Sequence, residues 1–509
     1  MTVPPHQDES FSGKAAKSLQ AAKYENYKKS SQTPKKSSAS RKKSSSKSRS
    51  GTPLLAPSLP AQLKQVNINA AGIDVGATVH FVCVPEGRDS QPVRSFGGFT
   101  ADLEAIADWL TKCQVTTVAM EATGVYWIPL FELLERRGFE VKLVEPSRLK
   151  HVPGRKSDVL DCQWIQQLHT FGLLSGSFRP EDKICVLRSY VRQRQTLLRS
   201  AGRCIQHMQK ALTQMNVKLQ HVISDITGVT GMAIIEAILA GERDPGKLAA
   251  LRNERCKNDE ATIALALQGN WREDHLFALK QAMDAYRFFH EKLLEIDQQI
   301  ETQLKTFEDR SQGKPMETGS HNHRRIPNEP SFDARKYLYT MTGMDLTEVD
   351  GLQASTVLTV VSEIGFDMSP WPTEKHFASW LSLCPGVNKT GGRSQSTNSR
   401  TRPSSNRAAA ALRMAASSLF RSDCALGAYA RRMRARLGAP KAVTATAHKL
   451  AIIIYNMFKY GKVYVDRGAE YYEEQYRAAV LKNLKRRARQ LGYEVVPTEN
   501  CDTSNQTAS

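Results

Sequence analysis

The chain has 509 residues, with 71 Lys and Arg against 51 Asp and Glu, so its formal net charge is +20. This length allows two to four domains, and a mean hydropathy of −0.43 with no apolar run near the ~20 residues of a membrane span excludes an integral membrane protein. Nine cysteines without a CxxC pair and no secretory signal pattern predict a reduced cytoplasmic protein, and the positive excess predicts a polyanion as partner.

The excess charge is concentrated in the N-terminal tail. Residues 1–65 hold 13 Lys and Arg against 3 Asp and Glu, in a sequence rich in Ser, Lys and Pro. Such a composition cannot bury enough apolar surface to fold, so we expect disorder. The tail can act as a nucleic-acid tether or as a solubilising segment, and the sequence does not separate these two roles.

A mixed α/β domain is predicted over 66–178. Apolar runs predict strands at Val66–Val75, Val79–Val84, Val93–Phe96, Val115–Met120 and Val141–Val144. Helical spacing predicts helices at Ala101–Leu110 and Trp127–Arg137, with a further helix from about Ser157. Hairpin strands followed by strand–helix alternation are typical of a mixed α/β fold.

An antiparallel coiled-coil arm is predicted over 179–310. Apolar residues at alternating four- and three-residue spacing run from Leu187 to Val222, and Arg194 is the one polar position among them. A second such seam runs from Leu279 to Ile300. This regularity predicts a coiled coil, and the insert at 224–275 is expected either to form a small helical cap or to turn the chain back.

The remainder is predicted to be mostly helical, with a linker at 311–335, a helical domain at 336–466, and a basic helix and tail at 467–509. Asp350–Leu352 followed by a helix resembles a helix-hairpin-helix element, which would offer backbone N–H groups to a phosphate; a plain helix pair is the alternative. His321 and His323 in the linker lack a second ligand pair, so we do not expect a metal there.

Four carboxylates mark the candidate catalytic site. Asp74 and Glu121 each end an apolar strand, and Asp158 and Asp161 are three residues apart on one helix face. Each acid alone could be a turn or helix cap. Together, on strand ends and one helix face, they predict a Mg²⁺ site suited to phosphodiester chemistry, because clustered carboxylates need divalent cations to offset their repulsion. This arrangement is that of the RuvC/RNase H-like nuclease fold.

A Gly-rich basic segment follows further along. Between Lys375 and Arg421 there are eight Lys and Arg and no acid. An alcohol here could attack phosphorus, or the segment could simply bind nucleic acid; the residues alone do not decide. The candidate nucleic-acid contacts are Lys389, Gly391, Gly392, Arg393, Arg400, Arg402, Arg407 and Arg413.

The ordered motifs resemble a known family. GIDVGA at Asp74, MEATGVYW at Glu121 and KSDVLD at Asp158 and Asp161, then LCPGVNKTGGR around Thr390, are similar to the DEDD transposases of the Piv/MooV-type insertion-sequence family, recombinases guided by an element-encoded bridge RNA. The resemblance covers about 66–490. It does not include the tail.

The resemblance implies a RuvC-like domain, a coiled coil and a mostly helical transposase domain with a Mg²⁺-dependent site. It also implies a dimer of dimers in which the acids of one subunit and the hydroxyl nucleophile of another act together on donor and target double-stranded DNA. The family nucleophile is a serine, whereas the matching residue here is Thr390, with Ser394 as the alternative.

Two other functions compete with a transposase. A RuvC-like structure-selective DNA nuclease would use the acids without a covalent hydroxyl, and a non-catalytic relic of a transposase would only bind nucleic acid. For any of the three we expect a cytoplasmic, nucleoid-associated protein.

Overall fold

A computed structural model describes residues 64–146, 158–316, 328–386, 389–390, 393–394 and 401–496. For Asp158, 389–390 and 393–394 it describes the backbone alone. The chain divides into two compact units, Met1–Ser177 and Phe178–Ser509. The predicted tail up to residue 63, and also His321 and His323, lie outside the described residues.

The first unit is built on one five-stranded sheet. Its strands are Ala70–Val75 (β1), Val79–Cys83 (β2), Val93–Gly97 (β3), Thr117–Glu121 (β4) and Glu140–Val144 (β5). The order is β3-β2-β1-β4-β5, with antiparallel pairing on the β3-β2-β1 side and parallel pairing from β1 through β4 to β5. The predicted mixed α/β architecture is confirmed, and this sheet is consistent with a RuvC-like fold.

Two helices cover one face of the sheet and a third covers the other, because successive strand residues point to opposite faces. The helices are Thr100–Lys112 (α1), Trp127–Arg136 (α2) and Asp158–Thr170 (α3). Ile73 belongs to the apolar cluster that includes Ile106 of α1 and Leu130 of α2. On the opposite face Ala119 clusters with Ile165 of α3.

The first strand begins later than predicted. Val66 and Asn67 are not in the sheet; their backbone N–H groups both donate to the carbonyl of Thr170, at 2.8 and 2.9 Å. That carbonyl lies at the C-terminus of α3, where helical partners are missing. The apolar start of the segment therefore closes a helix end instead of extending a strand.

The second unit begins with a long helical hairpin. Its elements are Asp182–Gln214 (α4), Leu219–Val222 (α5), Val229–Leu239 (α6), Pro245–Ala249 (α7), Glu260–Ala266 (α8) and Glu273–Lys305 (α9). α4 and α9 run antiparallel, since Lys183 at the start of α4 donates to the carbonyl of Thr306 just after α9, at 3.3 Å. The four short helices form a helical cap with its own apolar cluster. Supercoiling of α4 and α9 stays a prediction.

The apolar spacing predicted for α4 continues in the sequence beyond the end of the helix. The helix ends at Gln214, and Asn216 adopts a left-handed backbone with φ of 59°. Met215 and Leu219, which continue the spacing, are fully buried in the cap cluster. They extend the same apolar cluster that Met208 and Leu212 of α4 belong to, although a left-handed residue ends the helix between them.

The C-terminal part packs helices around the largest apolar cluster. Its helices are Ala334–Thr342 (α10), Ala354–Ile364 (α11), Glu374–Trp380 (α12), Arg407–Ser418 (α13), Ala425–Leu437 (α14), Ala439–Tyr460 (α15) and Gly468–Gln490 (α16), with short 3₁₀ turns at Leu346–Glu348 and Leu419–Arg421. Two-residue strands, Lys389–Thr390 (β6) and Arg393–Ser394 (β7), pair antiparallel. None of the described helices is long and apolar enough to span a membrane.

Candidate active site and nucleic-acid contacts

Asp74 and Glu121 lie on neighbouring strands at the same end of the sheet. In the parallel pairing of β1 with β4, Ile73 is opposite Met120, and each acid is the next residue along its strand. Neighbouring strands are about 4.8 Å apart and equivalent positions share a face. The register therefore directs both carboxylates to one face at the carboxyl ends of the two strands.

Helix α3 covers that same face and runs against the direction of β1. Gln166 donates from Nε2 to the carbonyl of Ala70 at 3.3 Å. Further along, a Cβ added at Gly72 would lie 2.4 Å from the carbonyl oxygen of Cys162 and 2.3 Å from the backbone nitrogen of Gln166. Only glycine lets the helix lie this close to the strand.

The first turn of α3 consequently lies toward the end of β1 where Asp74 is. Asp158 is the first residue of that turn, and Asp161, three residues later, follows on the same side of the helix. The structure thus brings Asp74, Glu121 and the start of α3 to one end of one sheet face. We call Asp74, Glu121, Asp158 and Asp161 the acid edge.

The surroundings of the acid edge are polar at Glu121 and buried near Asp74. Thr123 Oγ1 donates to Glu121 Oε1 at 3.2 Å. Cys162 is fully buried, and its pKa is raised by the hydrogen bond with the Cys83 thiol, by burial, and by the nearby charge of Asp74. That thiol is therefore a neutral wall of the site and no nucleophile at neutral pH.

The donor set of the acid edge consists of carboxylate oxygens, which are the ligands that Mg²⁺ prefers. In the part of the chain that the structure describes, the trio whose ligand atoms all lie within 4.8 Å of one another is elsewhere, at Asp350, Cys424 and Asp466. Asp74, Glu121 and Asp161 thus share an edge without approaching that closely. A divalent cation bound by these carboxylates would offset their mutual repulsion.

The trio near Asp350 is a set that the sequence did not point to. Burial raises the pKa of Cys424 to about 11, and burial together with the charge of Asp350 raises that of Tyr464, whose hydroxyl donates to Asp350 Oδ2 at 3.2 Å. Asp466 Oδ1 accepts from the backbone of Ala425 at 3.1 Å. Hydrogen bonds that cap α14 and hold the Tyr464 segment explain the cluster.

These acids also bear on the predicted phosphate-binding turn at Asp350–Leu352. Gly351 has φ of 84°, and a Cβ there would lie 2.9 Å from Leu419, so the turn packs on the protein. A phosphate at this turn would also meet the negative charges of Asp350 and Asp466. The helix-hairpin-helix element as a phosphate site remains a prediction, and this environment is unfavourable to it.

The candidate nucleophile lies on the short ribbon of β6 and β7, which we call the hydroxyl ribbon. Thr390 is paired with Arg393, and Lys389 with Ser394. The backbone therefore brings the two candidate hydroxyl residues to one ribbon, on opposite strands. Gly391, Gly392 and Arg400 lie outside the described residues.

Three of the arginines predicted to contact nucleic acid lie after the ribbon among the described residues, and they differ in their environment. Arg402 is exposed. Arg407, the first residue of α13, donates from Nη1 to Gln195 Oε1 of α4 at 2.9 Å. Arg413 donates to the carbonyl of Ser382 at 3.3 Å, and Ser382 has φ of 56°. Arg413 thus holds the chain where it leaves α12 toward the ribbon.

Two ion pairs of α4 were not predicted from the sequence. Arg194 and Asp297 form a buried pair between α4 and α9 at 2.5 Å, with side chains 7% and 3% exposed. Arg194 was visible as a polar interruption of the seam, but its partner was not. The pair also holds part of the predicted linker, because Arg194 donates to the carbonyl of Asn328 and the Ser331 N–H donates to Asp297.

The second pair joins α4 to α11. Arg192 grips Glu363 with two hydrogen bonds of 2.8 and 2.7 Å, and Arg188 donates to the Glu363 carbonyl at 2.7 Å. Glu363 is the next-to-last residue of α11 and is only 7% exposed. Nothing in the local sequence signals this long-range contact.

Comparison with known families gives two matches on the chain. Residues 71–217 match the DEDD transposase model of the IS110 type, described as Transposase, and residues 343–431 match the model described as Transposase IS116/IS110/IS902 family. A search of the curated proteins returns no match. The first match spans the acid edge and the second spans the hydroxyl ribbon, in the order that the motifs predicted. Two segments of this chain are therefore similar, in the same order, to those of the IS110 family of DEDD transposases.

Proposed function

We propose that this transposase cuts and rejoins DNA with a hydroxyl nucleophile on the ribbon, Thr390, and a Mg²⁺ site at the acid edge. The observation that carries the proposal is the shared register of Asp74 and Glu121 beneath the first turn of α3. Asp74, Glu121, Asp158 and Asp161 would hold the ions. Bound Mg²⁺ would stabilise the charge that develops on the phosphate oxygens.

Thr390 acts by transesterification. Its hydroxyl oxygen forms a bond to phosphorus, its proton is released, and the DNA oxygen that leaves takes the electron pair of the broken P–O bond and a proton. A hydroxyl of the second DNA strand then attacks the same phosphorus and releases Thr390, which regains a proton. Each step exchanges one phosphodiester for another, so the enzyme can rejoin DNA without a nucleotide cofactor.

Thr390 is favoured over Ser394 because it matches the family's serine position, directly before Gly391. The threonine methyl group narrows the approach to phosphorus, since β-branching restricts the side-chain torsion. Ser394 is paired across the ribbon with Lys389 and is the alternative nucleophile.

The proposed nucleic-acid and protein partners rest on the family resemblance and on the positive net charge of the chain. We propose a bridge RNA that pairs with donor and target DNA, and a dimer of dimers in which the acid edge of one subunit meets the hydroxyl ribbon of another. The net charge of +20 supports binding of both nucleic acids at the nucleoid, and the basic tail at 1–65 would add a sequence-independent component.

Strand breakage in variants tests the proposal. Protein co-expressed with the RNA flanking its element is mixed with donor and target DNA and Mg²⁺, and breakage and joining are followed on denaturing gels. Asp74→Asn should reduce both by roughly 10²–10³-fold through loss of charge stabilisation. Asp108→Asn, a change at an exposed acid, is the matched control and should be silent.

The hydroxyl variants separate the rival functions. Thr390→Ala should abolish joining and breakage together. Full Mg²⁺-dependent nicking by the double variant Thr390→Ala/Ser394→Ala would instead establish a RuvC-like nuclease. Tight, salt-sensitive nucleic-acid binding by the wild type without any breakage would establish a non-catalytic relic.

A further inference from the structure

A groove of about 670 Å³ lies between α4, α11 and α13 in the second unit. We call it the arm groove. Its polar lining is cationic and hydroxylic, and none of the described lining residues is an acid. Its polar lining includes Gln195, Arg199, Ser355, Thr356, Thr359 and Arg407.

Gln195 organises these polar groups. Its Oε1 accepts the hydrogen bond of Arg407 at 2.9 Å, and its Nε2 donates to Thr359 Oγ1 at 3.2 Å. One glutamine of α4 therefore ties the arginine of α13 to a hydroxyl of α11. Because an arginine has five N–H donors in a fixed fork, the bond to Gln195 orients the guanidinium and leaves it donors for a ligand.

Arg199 stands one turn further along α4. It is exposed, and its Nε and Nη2 return to the carbonyl of Gln195 and to Thr196, both at 3.2 Å. These contacts hold its side chain back along the helix, toward the groove. The two arginines thus belong to facing helices, with hydroxyls of α11 between them.

The wall of the groove is apolar. Leu198 and Leu358 contribute to it, and Met414 of α13 is 72% exposed beside it. A small inorganic anion would leave this surface in water. Nucleic acid offers both parts, phosphates for the arginines and sugar and base faces for the apolar wall.

We propose that the arm groove binds the phosphodiester backbone of a nucleic acid, with Arg199 and Arg407 on the phosphates and the hydroxyls of Ser355 and Thr356 as further donors. The inference rests on the proposed function, since it names a binding site next along the chain to the hydroxyl ribbon. α13, which carries Arg407, begins directly after 401–406.

Salt-dependent binding tests the groove without any chemistry. The whole protein is titrated with fluorescent duplex DNA and, separately, with an RNA hairpin, at several salt concentrations. Arg199→Gln and Arg407→Gln should each weaken binding by roughly 3- to 10-fold and reduce the salt slope by about one. The matched control is Arg255→Gln, at an exposed cap arginine outside the groove, and it should leave the slope unchanged.

A carboxylate placed in the groove gives a second, independent variant. Ser355→Glu should weaken binding at least as much as loss of one arginine, whereas Ser355→Ala should change it less than about twofold. Circular dichroism melting of each variant shows that the fold is retained. An effect in the DNA arm alone assigns the groove to DNA, and an effect in the RNA arm alone assigns it to RNA.

Crosslinking identifies the occupant directly. With p-benzoylphenylalanine in place of Met414, irradiation should attach the labelled nucleic acid. Attachment to a second copy of the chain, or unchanged salt slopes in all arginine variants, would overturn the inference. Failure of the proposed function gives a different result. If the wild type breaks no DNA while the groove variants still weaken nucleic-acid binding, the proposed function is wrong and the groove inference stands.

Discussion

The acid edge gets its geometry from regular backbone, whereas the hydroxyl ribbon is a two-residue pairing inside a Gly-rich basic segment. Asp74 and Glu121 are fixed by strand register, and α3 is fixed by its close approach to Gly72. The described contact before the ribbon joins Arg413 of α13 to the carbonyl of Ser382 just after α12. Regular pairing between strands and a helix sets the positions of the acid edge, whereas the ribbon is a minimal pairing of two residues on each side.

The largest expected effect concerns that scaffold. Arg194→Met leaves the Asp297 carboxylate buried without its partner, which costs about 3–5 kcal/mol of the stability of the second unit. The five-stranded sheet should be unaffected, because it has its own core. Hydrogen exchange measured separately for α9 and for β1 checks this.

A matched double variant sharpens the result. Arg194→Met combined with Asp297→Leu should recover most of the loss, since no unpaired charge remains. If the sheet of the first unit loses protection together with α9 in the single variant, the two regions are not separately stabilised.

Next in size is a change beneath the acid edge. Gly72→Ala places a Cβ 2.3 Å from the backbone of Gln166, so α3 must move away from β1, at a cost of about 1–3 kcal/mol. The rate of DNA strand breakage should fall, because Asp158 and Asp161 move away from Asp74. Gly202→Ala is the control, because a Cβ meets nothing within 4 Å there. Unchanged breakage in Gly72→Ala would separate α3 from the site.

The sheet should also be sensitive to acid. His169 is buried, and burial followed by the charge of Lys142 lowers its pKa to about 4. Between pH 6.5 and 4 the unfolded chain binds a proton that the folded chain does not, so this histidine reduces stability as the pH falls, by up to about 3 kcal/mol.

Hydrogen exchange of β1 and β4 at pH 7 and pH 5 measures that loss. His169→Gln should make the difference between the two pH values smaller. His80, whose pKa burial also lowers, accounts for part of what remains. An identical pH difference in wild type and variant would remove His169 as its cause.

The smallest change concerns the nucleophile itself. Thr390→Ser removes one methyl group from the approach to phosphorus, and we expect breakage to rise by no more than about tenfold. Ser394→Thr, the reciprocal change on the opposite strand of the ribbon, should leave the rate unchanged. A complete loss of breakage in Ser394→Ala would instead assign the nucleophile to Ser394.

Much of the first unit follows from sequence, because its signals are local. Apolar runs predict the five strands, and they place Asp74 and Glu121 at strand ends, as the structure also does. The exception is Val66, whose apolar character serves a helix end in place of a strand. Local periodicity cannot distinguish these two uses of the same residues.

The second unit shows where local signals end. The seam of α4 continues in sequence beyond Gln214, but the left-handed Asn216 diverts it into the cap. Asp297, Glu363 and Gln195 take their roles from partners on other helices, more than a hundred residues away in the chain for each ion pair. Such pairings depend on how the helices pack, so they cannot be predicted from composition and residue spacing.

The most direct test of the proposed chemistry is a trap for the covalent protein–DNA intermediate. Wild-type protein with its RNA, both DNAs and Mg²⁺ is denatured during the reaction, digested, and mapped by mass spectrometry. We predict a phosphodiester adduct on Thr390 that is absent in Asp74→Asn. Mg²⁺-dependent breakage without an adduct on either Thr390 or Ser394 would contradict the hydroxyl-nucleophile mechanism.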